Sequence, residues 1–223
     1  MPQISNIIRS KRKTIALVIQ PNGDLLVRAP QRATLKQINT MVDEHANWIA
    51  KKQAKALAAQ AAYAPHQFLA GEIFSFLGEN YPLQYISQKR PVFELNGNFQ
   101  MAQSARGQAR QIFEKWYKVQ ARQVFTDRIG YFAGEYGFEY GKLRLSSART
   151  RWGSCSAKGT ISLTWRLVMA PMEIIDYVVV HELSHLREHN HSRNFWAQVG
   201  AILPDYKRRR KWMKENGRNY HWP

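Results

Sequence analysis

The segment Ile174-Ile175-Asp176-Tyr177-Val178-Val179-Val180-His181-Glu182-Leu183-Ser184-His185 constrains this chain more than any other. Its first part is almost wholly apolar, so it reads as a helix enclosed by core rather than an amphipathic surface helix. Its second part sets two imidazoles four residues apart. On a helix they lie about 40° apart around the axis and one turn apart along it, so both rings can reach one cation. The glutamate between them stands where it can exchange a proton with a water on that cation. Two histidines and a carboxylate in a buried helix are unfavourable without a partner that satisfies them. The segment therefore predicts a rigid internal helix over about 171–188 that presents a metal-binding face.

His-Glu-x-x-His fixes only three residues and arises by chance in roughly one chain in a hundred of this length, so its surroundings carry the inference. Pro171 suits a first helical turn, where its missing N–H is no loss. Glu173 follows near the positive helix end. A catalytic zinc needs a third protein ligand and an open position. His191 and His189 compete for that place, with Glu188 a weaker candidate. His189 shares the ligand face only if the helix continues. Asn190 is expected to end it in left-handed dihedrals, and Ser192 to cap a new helix over about 193–203. A residue just before that cap can turn back toward the metal, which favours His191.

Apolar residues make up 44% of the 223, too many for a disordered chain. No run has the roughly 20 apolar residues of a membrane span, and no secretory segment opens the sequence. Cys155 is the single cysteine, which excludes an intrachain disulfide and a cysteine-based zinc finger. A small packed residue is a better reading of it than a nucleophile or fourth ligand. These features point to a cytoplasmic protein that is monomeric or weakly associated. The 33 Lys+Arg against 16 Asp+Glu give a net charge of +17, and such a surface attracts polyanions. Nucleic acid is therefore a possible partner beside a protein or peptide substrate; a membrane is not.

Along the chain, 15–19 and 25–29 flank Gln20-Pro21-Asn22-Gly23-Asp24, a hairpin signal. Residues 34–62 show helical spacing through Leu35, Ile38, Met41, Val42, Trp48 and Ile49. Short strands are expected within 68–86, and a second hairpin around Asn96-Gly97-Asn98. A long helical pattern runs from Ser104 to Tyr136, where Gly137 can end it. Residues 142–146 and 160–165 alternate as half-buried strands, with a loop between them. After Pro204, Asp205 is expected to cap a last basic helix ending at Gly217. The expected fold class is α+β: a helical part with a small antiparallel sheet over 104–223, preceded by a mainly β part with one helix over 1–103.

Arg151-Trp152-Gly153-Ser154-Cys155, Ile161-Ser162-Leu163-Thr164-Trp165, Tyr177 through Leu186, and Asn190-His191-Ser192 with Phe195-Trp196 together resemble the YgjP-like metal-dependent hydrolases. These are zincin-type metallopeptidases related to the SprT-like group. The resemblance implies that the 104–223 part is a zincin-like metallopeptidase core, with zinc ligands at His181, His185 and His191, Glu182 as general base, and peptide hydrolysis. Thr164 departs from the asparagine of the pattern. Arg151, Arg187 and Tyr206 are candidates for the group that stabilises the oxyanion, and the edge of the 160–165 strand is a candidate for binding an extended peptide. A reading of a different class is a nucleic-acid-associated protein with an idle metal site, or a DNA-stimulated protease.

Overall fold

Leu25, Val27 and Ala29 alternate along one strand with no exposure at all, and they are the floor of the N-terminal unit. The computed structural model describes residues 2–20, 22–61, 66–87 and 90–220. It divides into two compact units, Met1–Pro65 and His66–Pro223. In the first, β1 (Ile4–Ser10), β2 (Ala16–Ile19) and β3 (Leu25–Pro30) form a sheet of order β1-β3-β2. The expected hairpin is β2–β3, antiparallel with Leu17 opposite Val27. Its turn contains Gly23 at φ +89°, a left-handed conformation that disfavours a side chain; Pro21 of the expected turn lies outside the described residues.

β1 has no counterpart in the sequence reading. It runs parallel to β3, and its exposed Arg9 donates to the carbonyls of Pro30, Gln31 and Ala33. Ile38 and Val42 of α1 (Leu35–Glu44) and Ile49 of α2 (Ala46–Ala61) cover the floor. The single helix expected over 34–62 is thus two, interrupted at His45, and its end at Ala62 lies outside the described residues. Thr34 and Gln37 form a reciprocal capping box at its start.

The second unit contains β4 (Ile73–Phe76), β5 (Glu79–Ile86), β6 (Phe93–Asn96) and β7 (Asn98–Ala102), then α3 (Ala109–Tyr136), β8 (Lys142–Ser146), β9 (Gly153–Cys155), β10 (Thr160–Thr164), α4 (Met172–Ser184), α5 (Arg193–Ile202) and α6 (Tyr206–Asn216). The chain is α+β. The sheet β4-β5-β7-β6 packs aromatic side chains on the first turns of α3: Phe74 lies 4.2 Å from Phe113 between ring centres, and Phe99 5.0 Å. Rings this close add to their area burial, and Phe113→Ala would cost about 3–5 kcal/mol. The expected division after residue 103 therefore falls inside one core. The polar stretch there is a 3-10 turn leading directly into α3.

The smaller sheet has the order β8-β10-β9, with β8 parallel and β9 antiparallel to β10. It is mixed rather than antiparallel, because the expected loop between β8 and β10 contains a third strand. α4 packs against α3, β9, α5 and α6, and nine of its residues are buried, as its composition requires. Arg128 of α3 grips Asp176 of α4 with two hydrogen bonds, 2.5 and 3.0 Å. Gly137 ends α3 in the left-handed conformation. The exposed carbonyls of Tyr136 and Gly137 accept from Arg187, which fixes the segment just beyond α4.

Candidate metal centre

α4 ends at Ser184, sooner than the sequence suggests. Its spiral tightens: Leu186 and Arg187 donate to carbonyls three residues back, and Glu188 to Ser184. His185 is still helical, so His181 and His185 keep the one-turn relation that the spacing predicts. Asn190 is not left-handed. Its side chain instead accepts from the Ser192 amide, closing a turn. Ser192 caps α5 by accepting from Phe195, as expected. Between these two turns His191 is brought back over α4.

The three rings form a nearly equilateral triangle. Their centres are separated by 5.0 Å (His181–His185), 4.9 Å (His181–His191) and 4.8 Å (His185–His191). One nitrogen from each lies within 4.8 Å of the others, the one such cluster among the described residues. His191 Nε2 and His181 Nε2 approach to 3.0 Å. Imidazoles at about 2.0–2.1 Å from a tetrahedral cation have their nitrogens about 3.3 Å apart, so the rings stand close to ligand geometry. His189 and Glu188 are outside the cluster; the Glu188 carbonyl has another task. It accepts from His185 Nδ1 at 2.9 Å, which leaves the Nε2 lone pair of that ring for a ligand.

The environment favours the neutral form of His181 and His191. Burial, then the neighbouring imidazoles and Arg210, push His181 down to about 3; burial, His185 and Arg210 also lower His191. A neutral imidazole is the form that binds a metal. Nδ1 of His181 is buried with no hydrogen-bond partner among the described residues, so the polar engagement of that ring is through Nε2. Phe195, fully buried, stacks on His185 at 4.6 Å and meets His181 edge-on. The donor set and its packing fit a divalent metal of the imidazole-preferring kind.

Glu182 lies on the β9 side of α4 and is 5% exposed. Burial raises its carboxyl to about 7, opposed by Arg151. A carboxylate with that affinity can accept and return a proton near neutrality. Its place is made by Gly153: a Cβ there would stand 2.5 Å from Glu182 Oε1. β9 has no counterpart in the sequence reading, and Gly153, though part of the motif that carries the resemblance, has no role assigned there. A three-residue strand of Gly, Ser and Cys shows no alternation, and nothing in the spacing ties Gly153 to Glu182.

Other candidates resolve differently. Thr164 is buried, and its hydroxyl donates to Ala148, so the residue that departs from the pattern is structural. Arg187 braces the end of α3. Tyr206 stacks on Trp196 at 5.4 Å, and Trp196 in turn lies 5.6 Å from His191. Cys155 is half-buried in β9, its thiol raised by burial and by Glu182. Asp205 occupies the N-cap position of α6 without capping it; its carboxylate accepts from Arg208 and Arg209. The 160–164 strand is central in its sheet, and the edge strand beside α4 is β9.

Compared with known families, residues 13–216 match the YgjP-like metallopeptidase domain. The chain belongs to that family. As a YgjP-like protein it is, at the level of the family, a metal-dependent peptidase. Comparison with curated proteins gave no match. Among solved structures, the YgjP-like chain is similar to the metallopeptidase zymogen of Pyrococcus abyssi abylysin, with 24% identity and a TM-score of 0.38, over 41% of this chain and 93% of that one. No helix among the described residues is long and apolar enough to cross a membrane.

Proposed function

We propose that this YgjP-like protein is a zinc peptidase of the His-Glu-x-x-His type, with His181, His185 and His191 as metal ligands and Glu182 as general base. The convergence of three imidazole nitrogens is the observation that carries the reading. A divalent cation held there would supply Lewis acidity toward a scissile carbonyl and acidify a water molecule. Glu182 takes the proton of the attacking water and passes it to the leaving amine, a transfer suited to a carboxyl raised to about 7. The β9 edge offers backbone groups to an extended peptide beside that carboxylate. Cobalt and nickel also suit three imidazoles, and metal content separates them from zinc.

Glu182→Gln keeps the ligands and removes the base. Metal content should be unchanged and peptide hydrolysis should fall by about 10²- to 10⁴-fold. Equal hydrolysis by wild type and variant, measured on the same peptide pool, contradicts the assignment. The charge of +17 supports a second partner, a nucleic acid. Binding should then weaken steeply with salt; salt-independent binding, or none in dilute buffer, removes it.

A further inference from the structure

Three consecutive arginines, Arg208 to Arg210, stand near the start of α6, and their surroundings differ. Arg208 donates to Glu173 Oε2 at 2.6 Å and to Asp205 Oδ2 at 2.7 Å. Arg209 donates to Asp205 Oδ1 at 2.7 Å and to the Glu173 carbonyl at 2.8 Å. Both fasten α6 to the first turn of α4. Arg210 is exposed, and among the described residues no carboxylate lies within ion-pair distance of it. Its guanidinium sits over the Trp196 ring, 4.5 Å from the centre.

Trp196 connects that charge to the metal centre. Its ring lies 5.6 Å from His191 at 21° and 5.8 Å from His181. Centre-to-centre distances of 4.5 and 5.6 Å keep the guanidinium within about 10 Å of the His191 ring, or three residues of extended chain at about 3.3 Å each. A cation stacked on an aromatic face has its fork of donors preset at the rim, and that fork matches a carboxylate.

We infer that Arg210 is a specificity residue that binds a substrate carboxylate within three residues of the scissile bond. This rests on the peptidase reading above. The carboxylate has two sources, an Asp or Glu side chain or the free C-terminus of a peptide.

Two random-sequence peptide pools distinguish the sources, both acetylated at the N-terminus, one amidated and one free at the C-terminus. Each is digested with zinc-loaded wild type, Arg210→Ala, Arg210→Lys and Arg210→Glu, and the products are sequenced by mass spectrometry. Wild type should favour cuts within three residues of Asp or Glu, or of the free terminus, by about 10- to 100-fold. Arg210→Ala should abolish that preference, Arg210→Lys retain part of it, and Arg210→Glu turn it toward Lys and Arg. Lys142→Glu makes the same charge change on β8, at the sheet edge opposite β9, and should leave the preference intact. An unchanged profile in Arg210→Glu, or an equal loss in Lys142→Glu, overturns the assignment. If wild type cuts neither pool, the peptidase reading fails, and retention of the pools on immobilised protein decides the carboxylate site. Selective retention of acidic or free-acid peptides by wild type and not by Arg210→Glu supports it; equal retention ends it.

Discussion

Gly153 matters for the side chain it lacks. The Glu182 carboxylate lies where a Cβ would be, with Oε1 at 2.5 Å and Cγ at 2.7 Å from that position. Gly153→Ala would force the buried carboxylate aside, because the β9 backbone is paired to β10 through Leu163. Displacing the proposed general base while the imidazoles stay in place should lower kcat by about 100-fold or more, with metal content intact. Metal analysis beside steady-state kinetics checks this. Full activity in Gly153→Ala would show that the carboxylate needs no such seat. At this scale the sequence is legible where chemistry is local. His181, Glu182 and His185 follow from helix spacing, and His191 from the cap at Ser192. Gly153 and Arg210 act across long sequence separations that no local pattern records.

α4 and α6 are joined by charge at the surface. Arg208 holds the Glu173 and Asp205 carboxyls below their usual ranges, mainly through its hydrogen bonds. A carboxyl whose folded-state pKa is depressed stabilises the fold above its unfolded value, and loses that contribution as pH falls through the folded value. Arg208→Ala should therefore lower Tm by a constant amount near neutrality, and the gap should close below about pH 4. A gap that persists unchanged in acid would mean that Arg208 acts through packing. The groups are well exposed, so high salt should narrow the gap too. Helices with periodic faces and capping residues were readable from sequence: α3 with Gly137, α5 with Ser192. β1 and β9 were not, since their pairing depends on β3 and β10 rather than on their own pattern. The break at His45 has neither proline nor glycine to announce it.

The whole molecule has its boundary at residue 65, not 103, and the reason is packing. β4 to β7 look like a separate β part in sequence, yet their aromatic faces pack on Phe113, Trp116 and Tyr117 of α3. The α+β class follows from the elements alone; their grouping does not. All three imidazoles and Glu182 fall in the second unit, built on α4 and the turns that follow it. The account depends on those rings sharing one cation. Metal analysis and X-ray absorption on the purified protein test this most directly, with His185→Ala as reference. Wild type should hold about one zinc per chain with histidine nitrogens in its first sphere, and His185→Ala should lose most of it. Wild type free of transition metal after purification in zinc, or a His185→Ala variant that holds as much as wild type, would contradict the account.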